Sequence, residues 1–221
     1  MSGHPVATVA GVPVSSVEVD AAEARLRGGR GAAALPPPGT SEGRQLRRWL
    51  TQLIVTRRVI AAEAAARGLT PAGAPNEAEL LPDVTARLEI GSVAAAVLAD
   101  PLARALFADV TAAVDVAERE LAAYHARNPL RFAPSQPVQN VWRTTALVAP
   151  PLDEVRPAIR EQLRGAARRR AFRLWLDERR AALVRLAPGD GQVRGLAGFQ
   201  RDLRRLVGQV DQRRPLAVAH R

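Results

Sequence analysis

Apolar positions alternate at the start of the chain. Val6-Ala7-Thr8-Val9-Ala10-Gly11 reads as a short strand ending at a glycine turn, and Val12-Pro13-Val14 as a second extended piece. Ser15-x-x-Glu18 is a capping box, and Val17, Ala21, Ala24 and Leu26 predict a helix after it. Gly28 to Gly43, with three consecutive prolines at Pro36-Pro37-Pro38, predicts a loop. The period then lengthens. Leu46, Trp49, Leu50, Leu53, Ile54, Arg57, Ile60, Ala61 and Ala64 repeat at 3–4 residues and predict a helix over Glu42–Arg67, with Gly68 at its C-cap. Thr70 to Pro75 breaks the pattern. Shorter helices are predicted at about Pro82–Glu89, from Gly91-Ser92, and from Asp100-Pro101, where Asp can cap and Pro suits the first turn. Asp115-x-x-Glu118 predicts a further capped helix that stops at Asn128-Pro129.

Phe132 to Leu152 lacks helix signals and holds Pro134, Pro137, Pro150 and Pro151. From Asp153 the longest periodic stretch begins and runs to about Leu183. Val155, Ile159, Leu163, Ala167, Ala171, Leu174 and Trp175 mark one face. Arg160, Arg164, Arg168, Arg169, Arg170, Arg173, Arg179 and Arg180 cover much of the rest. Pro157 falls in the first turn, where it is tolerated. Val184-Arg185-Leu186 reads as a closing strand. Beyond it, Leu196, Phe199, Leu203, Leu206, Val207 and Val210 predict one amphipathic helix in a basic tail, 188–221.

The two long helices would measure roughly 39 and 45 Å. A compact domain of this size is only about 40 Å across. The expected fold is therefore mainly α and elongated, with a small two- to three-stranded β element joining the N- and C-terminal segments.

Composition sharpens this picture. Apolar residues make up 47% of the 221, aromatics only 4%, and Ala about a fifth, which favours helices packed at close range. There is no cysteine, so disulfides, thiolate metal sites and cysteine nucleophiles are excluded. No apolar run approaches the length of a membrane span. Met1 to Val14 lacks a basic start followed by an apolar stretch, so a cytoplasmic location is expected. The net charge is +10, and every basic residue apart from three His is Arg. A GC-rich coding sequence would produce that usage. Its distribution is more telling: residues 151–221 carry 17 Arg against 8 acids, whereas residues 1–150 carry 15 against 14. Arg164, Arg168, Arg169, Arg170 and Arg173 form either a basic surface for an anionic partner or a solvated helix face.

Candidate chemistry is sparse. His4, His125 and His220 have no partner at metal-ligand spacing, and Asp153-Glu154 and Asp177-Glu178 are neighbours that point about 100° apart on a helix. Phosphate-loop, dinucleotide and nucleophile-elbow motifs are missing. No catalytic residue, metal site or cofactor is therefore expected. Arg168-Arg169-Arg170 could grip phosphate, but Phe172 and Trp175 are spaced for a buried face rather than for stacking on bases, so nucleic acid is the weaker alternative.

The order of the pieces resembles SurA-type and parvulin-linked peptidyl-prolyl isomerase chaperones. Val6 to Val14 followed by Ser16-Val17-Glu18-Val19-Asp20 is similar to the opening strand and helix of that family. Gln52-Leu53-Ile54 with Glu63-Ala64-Ala65-Ala66-Arg67-Gly68-Leu69 resembles its next helix. Val114 to Pro129 with Arg131-Phe132 resembles the segment that leads into the isomerase domain, and Pro151 to Leu163 the helix that returns after it. The resemblance covers most of residues 6–187 and implies a helical chaperone domain over 1–187. Only about 20 residues separate Phe132 from Leu152, too few for an independent domain. The resemblance thus implies the chaperone scaffold with a short linker, 132–152, in place of the isomerase, and no parvulin catalytic residue can be matched. The expected function is non-catalytic binding of an unfolded or dedicated protein client in an apolar groove. Leu50, Leu53, Ile54, Phe172 and Trp175 are its groove or core residues. The alternative is an interaction subunit that uses the Arg-rich C-terminal third on an acidic partner. The first strand would pair with Val184-Arg185-Leu186, and the helix from Asp153 would pack on the Glu42–Arg67 helix.

Overall fold

The structure is a computed structural model that describes residues 4–133 and 148–186. The predicted tail helix in 188–221 and most of the 132–152 linker lie outside the described residues. Among the described residues the fold is mainly helical, with one three-stranded antiparallel sheet. The chain divides into two compact units, Met1–Glu63 with Arg179–Arg221, and Ala64–Glu178.

The first unit begins with strands β1 (Pro5–Val9) and β2 (Val12–Ser15), joined by a two-residue turn. Ala10 and Gly11 both take positive φ (49° and 82°), the pairing that matches the twist of a tight hairpin. The strand thus ends at Val9, earlier than the sequence predicts, because Ala10 is part of the turn. Alternation puts Ala7, Val9 and Val14 inside. The third strand, β3 (Val184–Leu186), pairs antiparallel with β1, Thr8 opposite Arg185, and gives the order β2-β1-β3. The expected joining of the two ends is therefore observed.

Helix α1 (Ser16–Arg27) starts at the predicted box. The Ser15 hydroxyl accepts from the Glu18 N–H, and the Glu18 carboxylate accepts from the Ser15 N–H at 3.1 Å. Arg58 ties the same carboxylate (2.6 Å) to the Pro13 carbonyl (2.7 Å), which closes the outer edge of β2. Arg27 donates to the Pro36 carbonyl (3.0 Å) and holds the proline loop, which includes one 3-10 turn at Ala32–Ala34.

Helix α2 (Ser41–Ala66) includes Gly43, which the sequence leaves at the end of the loop. Thr40 is the reason, since its hydroxyl accepts from the Gly43 N–H at 3.0 Å and caps the helix. A Cβ at Gly43 would collide with the Pro37 carbonyl oxygen. Leu50, Leu53, Val55, Val59, Ile60 and Ala64 are buried along α2. At its far end the half-buried Arg179 reaches the buried Glu63 (2.7 Å).

The second unit holds four short helices, α3 (Glu77–Leu80), α4 (Val84–Ile90), α5 (Ser92–Val97) and α6 (Pro101–Val110), then α7 (Glu118–Arg127) and most of α8 (Leu152–Leu183). Asp83 caps α4 through the Ala86 N–H, and Asp100 caps α6 through the Leu102 N–H. The box predicted at Asp115 is displaced by two residues. Helix α7 starts after Ala117, whose N–H donates to Glu120 at 3.0 Å. The buried face of α8 also differs from the single stripe the sequence predicts. Val155 and Ile159 are buried in its first part, but Arg169, Phe172 and Leu176 in its second, while Leu174 is half exposed. The inward face shifts around the helix because two different neighbours cover it. Val155 and Ile159 join Val116 and Leu121, with Tyr124, Phe132 and Leu163 against them, whereas Phe172 packs tilted against Phe107 of α6 (ring centres 5.0 Å apart).

Candidate functional site

The arginines of α8 set the electrostatics of the second unit, and most serve the fold. Arg169 is 8% exposed, bonds Glu89 (2.8 Å) and donates to the Leu80 carbonyl (3.3 Å) at the end of α3. Arg173 donates to the Glu89 carbonyl in the last turn of α4 (3.0 Å). Arg104 of α6 does the same for the end of α5, reaching the Leu98 and Ala99 carbonyls at 3.0 and 2.8 Å. The last carbonyls of a helix have no partner within it. These guanidiniums supply one from outside and place positive charge at the negative end of the helix dipole. Arg156 and Arg160 both grip Glu118 in the first turn of α7.

Of the predicted basic surface, Arg169 is thus inside and does not belong to it. Arg170 is exposed, while Arg164, Arg168 and Arg173 are half-buried. The sequence holds one signal for this in Gly165. A side chain there would press on the Arg169 guanidinium, 3.2 Å from where a Cβ would sit, so an isolated glycine in a helix marks the place where an arginine folds back over it. Of the predicted groove residues, Leu50, Leu53 and Phe172 are buried core, and Ile54 and Trp175 are half-buried. Trp175 stacks on Phe172 (5.6 Å) and carries the Arg67 guanidinium over its ring. None of these five lines the cleft found in the second unit.

The cleft lies elsewhere, between α7 and α8. It is open to one side and encloses about 540 Å³. Val116, Ala123, Tyr124, Leu163 and Ala167 give it apolar walls, and Asp115, Arg119, Glu120 and Arg127 stand around them. Packing explains why it exists. The cluster of Val116, Leu121, Val155 and Ile159 holds the two helices together below, but above it Ala123 and Ala167 are too small to fill the space. Tyr124 is fixed as a wall by Phe132, edge-on at 6.4 Å, and by Gln162, which donates to its hydroxyl at 2.9 Å. His125 stays out of the cleft, with Nε2–H donating to the Pro150 carbonyl (2.9 Å). Sequence reasoning did not find this site. Its signal is a small residue on each of two helices, Ala123 and Ala167, lining the same space. Among the described residues, no group of three or more His, Asp or Glu could hold a metal ion, and no helix is long and apolar enough to cross a membrane.

Residues 5–42, covering the hairpin, α1 and the proline loop, match a protein-family model described as a family of unknown function (DUF7158). No curated protein and no solved structure matches the chain.

Proposed function

We propose that this protein is a non-catalytic, chaperone-like binder of polypeptide, and that the α7–α8 cleft is where it holds a client segment. The cleft itself carries the reading. It has apolar walls, charged flanks and an open side, which is the form of a groove that takes side chains of an extended or helical peptide. The order of sequence segments, which resembles SurA-type chaperones, supports the same class of activity. The alternative of a broad Arg-rich surface for an acidic partner loses support, since Arg156, Arg160, Arg169, Arg173 and Arg179 are engaged within the fold.

The test pairs two assays on the full chain. The protein should suppress aggregation of a chemically denatured client and should not accelerate prolyl isomerisation of a model peptide. Ala123→Trp, at an exposed position that lines the cleft, should abolish the suppression while leaving the unfolding transition in place. Suppression unchanged by that substitution, or isomerase turnover in the pure chain, would overturn the proposal.

A further inference from the structure

The cleft is apolar inside and electrically neutral at its rim. Two acids, Asp115 and Glu120, stand there with two bases, Arg119 and Arg127, and all four are exposed. Among the described residues none of the four forms an ion pair. The Asp115 and Arg119 side chains make no hydrogen bond. Glu120 accepts from the Ala117 N–H, and Arg127 donates its Nε to the Ala123 carbonyl (3.0 Å), which leaves its Nη donors uncommitted. Glu118, next to Arg119, is the contrast, being held by two arginines of α8. The fold uses its charges where they can pair, and these four are left over with their signs in balance.

Their order along the chain says what could pair with them. Asp115 lies ahead of α7, Arg119 and Glu120 in its first turn, and Arg127 at its last residue. Turned end for end, that row is its own complement. A second α7 laid antiparallel over the cleft brings Asp115 of each copy to Arg127 of the other, and Arg119 of each within about one turn of the other's Glu120. A foreign segment would have to carry both signs in this reversed order, whereas a second copy does so by symmetry. Ala123 and Ala167 are small enough to admit another helix at the short end of the usual spacing, roughly 8 Å between axes. The rest of the molecule opposes self-association, because the chain carries a net charge of +10. The neutral rim is a place where two copies meet without that repulsion.

We propose that the cleft is a two-fold self-docking surface, in which α7 of each copy covers the cleft of the other and the four rim charges pair across the interface. The proposal goes beyond the client reading, since here the occupant is the protein itself. A client and a second copy then compete for one surface.

Sedimentation equilibrium of the full chain at low salt tests this, with the unfolding midpoint of each variant as the control on fold. The unaltered chain should dimerise with rising concentration, and less so as salt rises. Arg127→Asp and Asp115→Arg, each alone, should weaken the dimer at least about tenfold, because each sets like charges face to face twice. Combining both substitutions in one chain should restore the dimer. An equimolar mixture of the two single variants should restore it as well, since each then meets the opposite sign. Aggregation suppression per chain should fall over the concentrations at which the dimer forms. A chain that stays monomeric up to about 100 μM would overturn the proposal. So would a dimer that the single reversals leave intact, or one that neither the double variant nor the mixture restores. A monomer whose suppression is lost in Ala123→Trp would overturn self-docking and leave the client reading standing. A dimer that follows the charge exchange but suppresses nothing would uphold self-docking and overturn the client reading.

Discussion

The two long helices are held in different ways. α2 buries a nearly continuous apolar row, Leu50, Leu53, Val55, Val59, Ile60 and Ala64, and its stability follows from area removed from water. α8 has no such row. It buries Val155 and Ile159 early, Phe172 and Leu176 late, and a charged residue, Arg169, between them. Over that middle stretch its arginines reach the ends of other helices and fill vacancies their last turns leave. The stems of these side chains also cover apolar surface. A helix rich in charge need not be a solvated one: its donors can act as fasteners, each worth less than a buried leucine but fixed in direction. Ordering each long side chain costs about 2 kcal/mol of rotamer freedom, so such a fastener contributes only where the acceptor already sits in place.

Substitutions can separate the two modes. The largest effect is expected at Phe172, fully buried between Phe107 and Trp175. Phe172→Ala should cost about 4 kcal/mol in denaturant unfolding. A cost below about 1 kcal/mol would show that apolar packing does not anchor this part of α8. Next is Arg169. Arg169→Ala should cost about 3 kcal/mol, because the Leu80 carbonyl loses its donor and Glu89 its partner, and Arg169→Lys should recover less than half of it. Full rescue by lysine would reduce the role of Arg169 to bare charge.

The third effect has the opposite sign and lies in α2. The Thr56 hydroxyl is buried and has no hydrogen-bond partner. Thr56→Val keeps the shape and removes an unmet donor, so it should raise the unfolding free energy by about 1 kcal/mol. Destabilisation instead would mean that the hydroxyl is satisfied in solution and that α2 is less purely apolar than its row implies. The smallest concerns acid. The Glu18 carboxyl is held below its usual 4.5, first by the Ser15 N–H and then by Arg58, against a partial desolvation. A carboxyl whose folded pKa is depressed contributes stability above the unfolded value and loses it as pH falls through the folded one. Unfolding followed from neutral pH downward should therefore weaken below about pH 4.5, and Glu18→Gln should flatten that part of the curve. An unchanged profile would remove Glu18 from the account of the hairpin.

Where a hydrophobic period or a cap decides an element, the sequence is legible. The α2 row, the Ser15–Glu18 box, the caps at Asp83 and Asp100, and the closing strand after α8 all follow from residue types at fixed spacing. The failures share a cause, which is a partner from elsewhere in the chain. Gly43 is helical because Thr40 caps it while the proline loop crosses close by. Glu120 rather than Glu118 completes the start of α7, and Glu118 is taken by two arginines of α8. Arg169 reads as surface because its charge is visible in the sequence and Glu89 and Leu80 beside it are not. The cleft is harder still, being a deficit of volume between Ala123 and Ala167 rather than a pattern in either helix.

The pairing of Thr8 with Arg185 sets an order of events during synthesis. The hairpin can form as soon as its own residues leave the ribosome, yet the inner strand keeps one bare flank until nearly all of the described chain has followed. Folding that waits on so distant a partner is slow, and an open strand edge meanwhile invites the wrong neighbour. Until β3 arrives, that open flank is what a nascent chain of this protein would need covered.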